Sequence, residues 1–260
     1  MTNQGPWPSR FVWHNLMSTD VEKSQQFYCS MFDWQINAIP IGPVVYRIIV
    51  AGPGAIGGMR EEKNIPRSHW LPYVAVPDVD AAAAKAAQLH GKVCVPPTDI
   101  PATGRFAVVM DPCGAALAIF TGQPGSHGFD PDLGVPGRVC WNELLSSDDR
   151  RAQAFYSGLF GWREQPKDMG PMGTYRIQML GDKQVGGIMK NPQNGAPDAW
   201  LAYFFAPDLA AATAKAKRLG AEACMENVPI PGIGAFSMLI DPAGAVFALF
   251  EPQLPADGTC

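Results

Sequence analysis

Glu143 is the acidic side chain in this sequence best placed to act on a small molecule. It stands two residues after Trp141 in the run Val139-Cys-Trp-Asn-Glu-Leu-Leu145. Alternate residues of a strand share a face, so Trp141 and Glu143 point the same way. A carboxylate on an apolar face is costly unless it is paired or protonated. Glu143 is therefore a candidate general base or an anchor for a cationic ligand. The structural alternatives are a buried salt bridge to Arg176 or Arg138, or a side chain at the solvent mouth. The same parity joins Trp13 to Asn15, His69 to Leu71 and Tyr73, and Leu201 to Tyr203. The candidate ligand-binding set is thus Trp13, Asn15, His69, Tyr73, Trp141, Glu143 and Tyr203. Aromatic surface with a few polar tips suits a planar or apolar molecule held in one orientation; the competing use of the same rings is to fill core.

Other chemistry-bearing residues read more plainly. Tyr46-Arg47 and Tyr175-Arg176 are able to bind a ligand carboxylate, or to cover a strand edge with one side chain in and one out. His14, opposite in parity to Trp13, is expected to pack against a helix or neighbouring module. Glu251 is expected at the surface, and Arg105, matched by Ala235, offers an anion clamp in one place only. Gly52-Pro-Gly54-Ala-Ile-Gly57 fits the dinucleotide G-x-G-x-x-G string, but Glu61 to Pro66 follows where a helix would have to hold the pyrophosphate. A tight hairpin is the better reading. Asp111-Pro-Cys-Gly114 and Asp241-Pro-Ala-Gly244 have turn chemistry, with structural aspartates. The six cysteines, Cys29, Cys94, Cys113, Cys140, Cys224 and Cys260, form no C-x-x-C pair and read as small buried hydrophobes, Cys260 being free at the tail.

The elements that must position these residues are written twice. Phe11-Val-Trp-His-Asn-Leu-Met-Ser-Thr-Asp20, Phe27-Tyr28 and Phe32-Asp-Trp34 return as Val139-Cys-Trp-Asn-Glu-Leu-Leu-Ser-Ser-Asp148, Phe155-Tyr156 and Phe160-Gly-Trp162, an offset of 128 that grows to 130 at the Asp-Pro-x-Gly turns. Two modules, 1–125 and 138–260, flank a linker at 126–137 within a stretch rich in Gly and Pro. In the first module, strands are expected at 11–17, 45–50, 55–60, 70–76, 93–96, 105–110 and 115–121. Helices are expected at 20–32 and 78–89, the first opened by Thr19-Asp-Val-Glu22 at capping-box spacing. Gly91 and Gly220 stand where the second helix of each module stops.

With 27 Gly and 25 Pro in 260 residues, many turns are required and helical bundles are excluded; 47% apolar content supplies a substantial core. The net charge of −4, without a run of more than two Lys or Arg, excludes nucleic acid and anionic membrane as partners. With no secretion signal at the amino terminus and no apolar stretch near 18 residues, a soluble, cytoplasmic protein is expected.

The paired β-α-β-β-β pattern, the strand–Asp–helix–Phe-Tyr opening and the Asp-Pro-x-Gly turn before a final apolar strand resemble the glyoxalase/bleomycin resistance/extradiol dioxygenase superfamily over about 11–121 and 138–251. The resemblance implies an α+β fold: two tandem modules, each of two βαβββ units forming a curved, incompletely closed sheet around a cup, packed as a pseudo-dimer, as one chain or as a homodimer. Metal-dependent members place ligands seven residues before the helix-opening aspartate and seven after the turn aspartate. Here those positions are Trp13, Leu71, Trp141, Leu201, Ala118 and Ala248, none able to coordinate a divalent cation. The expectation is a metal-free protein without cofactor that binds a small aromatic or apolar molecule in an aromatic-lined cup. The rival is a lyase, isomerase or dioxygenase with displaced metal ligands or with Glu143 as base; a scaffold without ligand is a third option. Asn15 takes the place of Glu143 in the first module, so the two cups differ in acid–base chemistry.

Overall fold

A computed structural model describes residues 8–42, 44–52, 54–123 and 135–253. The linker residues 126–134, Pro53 of the hairpin and Cys260 lie outside the described residues. Each sequence copy makes one eight-stranded sheet. The first copy contains β1 (Phe11–Ser18), α1 (Val21–Phe32), β2 (Gln35–Ile41), β3 (Val44–Ala51), β4 (Gly54–Glu61), β5 (His69–Ala75), α2 (Val79–Gln88), β6 (Lys92–Ile100), β7 (Gly104–Met110) and β8 (Ala116–Gly122). The second contains β9 (Val139–Ser146), α3 (Asp149–Phe160), β10 (Arg163–Asp168), β11 (Thr174–Leu180), β12 (Lys183–Lys190), β13 (Ala199–Phe205), α4 (Leu209–Arg218), β14 (Glu222–Ile230), β15 (Gly234–Ile240) and β16 (Val246–Pro252). The strand orders, β2-β3-β4-β1-β5-β8-β7-β6 and β10-β11-β12-β9-β13-β16-β15-β14, are the same arrangement twice, curled but not closed. This is the expected α+β fold of two tandem modules.

The edge strands β2 and β10 were not placed by periodicity. Gln35-Ile-Asn-Ala-Ile-Pro-Ile41 and Arg163-Glu-Gln-Pro-Lys-Asp168 are almost wholly exposed and carry Pro40 and Pro166. An edge tolerates proline because only one side of the strand must supply ladder hydrogen bonds. The hairpin reading of Gly52 holds: β3 turns into β4 through Gly52 at φ 61°, and β11 into β12 through Gly181 at the same φ. Among the described residues each of the four α-helices is capped by aspartate. Asp20, Asp78, Asp148 and Asp208 accept from Lys23, Ala81, Arg151 and Ala211 N–H respectively. This corrects the expected box by one residue, because Thr19 is held instead by Ser68, whose Oγ accepts from the Thr19 N–H at 3.0 Å. At the end of α2 the left-handed residue is His90, φ 65°, rather than Gly91.

The described residues pack as two compact units, each drawing a part from both copies: 8–13, 71–123 and 141–201 form the first, and 14–70, 135–140 and 202–253 the second. In the first unit the inner faces of α2 and α3 share a core of Phe11, Val74, Val109, Leu117, Leu144, Phe155, Tyr156, Trp162 and Trp200. Burying each such side chain contributes about 1.5–3 kcal/mol. In the second unit Tyr28, Phe32, Trp34, Trp70, Phe204 and Phe247 form the matching aromatic cluster, with ring centroids 5.1 to 6.4 Å apart among the contacting pairs.

One polar chain anchors each core. Trp200 Nε1 donates to the Tyr156 hydroxyl at 3.0 Å, and Tyr156 in turn faces the buried carboxylate of Asp111. In the other unit Trp70 Nε1 donates to Tyr28 at 3.0 Å, and Tyr28 faces Asp241. Asp111 Oδ1 accepts from the N–H groups of Cys113, Gly114 and Ala115, which makes the turn aspartates structural, as expected. No hydrogen bond of ordinary geometry reaches Oδ2 of either aspartate.

Candidate functional site

The candidate site is a face of the first unit made by β9, β12, β11 and β10. Parity places Trp141 and Glu143 together, and the structure joins both through Tyr175. Trp141 Nε1 donates to the Tyr175 hydroxyl at 2.7 Å, and that hydroxyl also meets the Glu143 carboxylate. Glu143 is buried at 8% exposure, whereas Trp141 is only half-buried. Burial first, then the Glu143 charge, holds the Tyr175 hydroxyl well above its ordinary range, so it remains a proton donor.

Two glycines make this possible. Gly187 lies opposite Glu143 in the parallel β12–β9 pairing, and a side-chain carbon added to it would collide with the Tyr175 hydroxyl. The second unit repeats the device with one change of chemistry. Gly58 lies opposite Asn15, the Tyr46 ring crosses it, and the Tyr46 hydroxyl donates to Asn15 Oδ1 at 2.6 Å. Neither tyrosine was matched to its partner by sequence reasoning, although both copies set Gly twelve residues after Tyr, a spacing that could have pointed to it.

The arginines beside these tyrosines point the other way. Arg176 is paired with Asp149 and Glu164, both at 2.8 Å, and Arg47 with Glu22 at 2.6 Å and Gln25 at 3.0 Å. Each Tyr-Arg pair thus splits, tyrosine onto the sheet face and arginine onto the helix start. Arg138 donates to the Ala51 carbonyl at 2.8 Å.

The other candidates are spread over both units. Tyr73 lies opposite Ala118 and packs with Phe106 and Phe120 in the first unit; Tyr203 lies opposite Ala248 and packs with Phe236 in the second. Trp13 belongs to the first unit and is half-buried, Asn15 to the second. His69, in the second unit, has Nδ1 3.3 Å from the Arg67 carbonyl, and burial pushes its pKa down, so the ring is neutral near pH 7. His14 is buried at 3% on the face opposite Asn15. Glu251 is not idle at the surface: its carboxylate accepts from the Leu209 N–H at 2.8 Å and caps α4. Arg105 spends its guanidinium on Asp80 and Asp99.

The cation of metal-dependent relatives does not fit here. Leu71, Leu201, Ala118 and Ala248 are buried and offer no lone pair, the Trp141 N–H is a donor already engaged, and among the described residues no three His, Cys, Asp or Glu side chains converge. A hollow of about 250 Å³ in the second unit, lined by Met31, Phe32, Phe205 and Lys215 among others, contains none of the candidate residues.

Residues 10–119 match the model of the "Glyoxalase/Bleomycin resistance protein/Dioxygenase superfamily". A relative from Mycobacterium tuberculosis (strain CDC 1551 / Oshkosh), named "Putative glyoxylase CFP32", is 33% identical over 92% of this chain and 94% of its own. The chain belongs to the glyoxalase/bleomycin resistance protein/dioxygenase superfamily. The "Anthracycline biosynthesis protein DauV" of Streptomyces sp. (strain C5) is 30% identical over 94% of both chains. The structure of the 2,3-dioxygenase LapB from Pseudomonas sp. KL28 superposes with a TM-score of 0.67, covering 98% of this chain and 96% of that one at 11% identity, a likeness of fold alone. Among the described residues no helix is long and apolar enough to cross a membrane.

Proposed function

We propose that this superfamily member binds a small planar aromatic molecule, without a metal ion, against the face of Trp141, Tyr175 and Glu143. The observation that carries the reading is the 2.7 Å hydrogen bond from Trp141 to Tyr175, which fixes the indole plane while leaving it half-exposed. A ring held rigid and accessible loses little entropy when a second ring stacks on it. The greasy residues at the ligand positions of metal-dependent relatives support the same reading. So does the name of the DauV relative, since an anthracycline is a fused-ring aromatic compound.

Titration with 9,10-anthraquinone-2-sulfonate, followed by tryptophan fluorescence, tests the proposal. Saturable quenching is expected, and Trp141→Ala should weaken binding at least fivefold, about 1 kcal/mol. Equal affinity in the variant removes Trp141 from the site.

A second reading rests on the buried contact between Glu143 and Tyr175, a carboxylate and a hydroxyl able to pass one proton between them. In that case Glu143 is the base of a metal-free lyase or isomerase. A Glu143→Gln variant that turns over a discovered substrate at the normal rate would dispose of it.

A further inference from the structure

The edge strand β10 sorts its charges by sign. Lys167 lies opposite Tyr175 on β11, Gln165 opposite Ile177 and Arg163 opposite Met179. Ile177 in turn lies opposite Gly187, and Gly187 opposite Glu143. Residues directly opposite one another share a face of the sheet, so Arg163, Gln165 and Lys167 stand on the face of Tyr175, Trp141 and Glu143. Glu164 and Asp168 have the other parity. Glu164 is held there by Arg176 at 2.8 Å, and Asp168 accepts from the Gly170 N–H at 2.9 Å. Both cations of the strand are thus turned to the candidate site and both of its acids away from it.

Lys167 and Arg163 are exposed, and among the described residues no carboxylate pairs with either; Arg163 donates to the Gly181 carbonyl at 2.9 Å. Charge on an edge strand also blocks pairing with a foreign sheet, but either sign on either face serves that purpose. Sorting by sign does more, because it sets a positive field over one face only. The matching edge of the first copy, Gln35-Ile-Asn-Ala-Ile-Pro-Ile41, carries no charge, so the sorted cations belong to the second copy alone. The Tyr175 ring runs from β11 to Trp141, where its hydroxyl accepts the indole N–H at 2.7 Å. A molecule stacked on that indole and extended along the tyrosine therefore ends toward Lys167.

Resting on the proposed aromatic site, we infer that its ligand is an anionic aromatic compound, with a sulfonate, carboxylate or phosphate at the end turned to β10, and that Lys167 selects for that charge. A lysine suits the task, being a compact charge on a flexible stem that meets an anion without a fixed geometry.

Calorimetric titration at pH 7 with naphthalene-2-sulfonate and with its neutral counterpart of the same shape, naphthalene-2-sulfonamide, tests this. In low salt the wild-type protein is expected to bind the sulfonate about fivefold more tightly, a preference that sodium chloride at about 0.5 M removes by screening. Lys167→Met should at least halve the preference and Lys167→Glu should reverse it, while the affinity for the sulfonamide stays within twofold in both variants. Equal affinities in the wild type, a preference that survives Lys167→Glu, or a loss shared equally by both compounds overturns the inference and leaves the aromatic site standing. Failure of both compounds to bind the wild-type protein overturns the site itself.

Discussion

The Tyr175 hydroxyl occupies the volume that a side chain on Gly187 would need, and it is this vacancy that lets one hydroxyl meet Trp141 and Glu143 together. Gly187→Ala should expel the ring from its place. A cost of about 2 kcal/mol or more is expected in urea unfolding, from overpacking and the lost buried hydrogen bond. Loss of the anthraquinone-sulfonate quenching should accompany it. Gly58→Ala should destabilise to a similar degree through Tyr46.

The tyrosine at the centre of each core is the second point of attack. Tyr156→Phe leaves the Trp200 indole N–H buried without its 3.0 Å acceptor, and Tyr28→Phe does the same to Trp70. Each should cost about 1–3 kcal/mol. Urea titrations of both single variants should give similar losses, since the two units repeat one design.

Burial raises the pKa of Asp111, against the opposing hydrogen bonds from Ala115, Cys113 and Gly114. A carboxyl whose folded pKa lies above its unfolded value takes up a proton on folding. Its favourable contribution is therefore present at low pH and is lost as pH rises through the raised value. Asp111→Asn keeps an oxygen for the turn but removes the titration. The stability of the wild type relative to this variant should fall as pH is raised from about 4 to about 7. A difference independent of pH would show that the carboxyl is ionised in both states.

Burial pushes the Cys140 thiol up to about 12, and its Sγ lies 3.4 Å from the Tyr203 carbonyl. Thiolate is the reactive form, so alkylation by iodoacetamide at pH 8 should be slow at Cys140 and fast at exposed Cys94. Peptide mass spectrometry over time should show Cys140 labelled only on unfolding.

Much of this is legible in the amino-acid sequence. The repeat, the helix-opening aspartates and the Asp-Pro-x-Gly turns carry local chemistry that survives in any context, and strand parity alone set Trp141 beside Glu143. What escaped depends on partners distant in sequence. Tyr175 reaches Glu143 only because the β12–β9 register sets Gly187 beside it. Tyr28 meets Asp241 because a compact unit takes parts from both copies. Pro40 and Pro166 hid β2 and β10, since edge strands need neither burial nor alternation. Glu251 was assigned to the surface because parity says nothing of a carboxylate that turns back to cap α4.

Fluorescence titration with 9,10-anthraquinone-2-sulfonate, run in parallel in excess EDTA and in added manganese or zinc, tests metal-free binding at Trp141 most directly. The expected result is one dissociation constant, within twofold, under all these conditions, and a weaker one for Trp141→Ala in each. Quenching that vanishes in EDTA and returns with the metal would contradict the account.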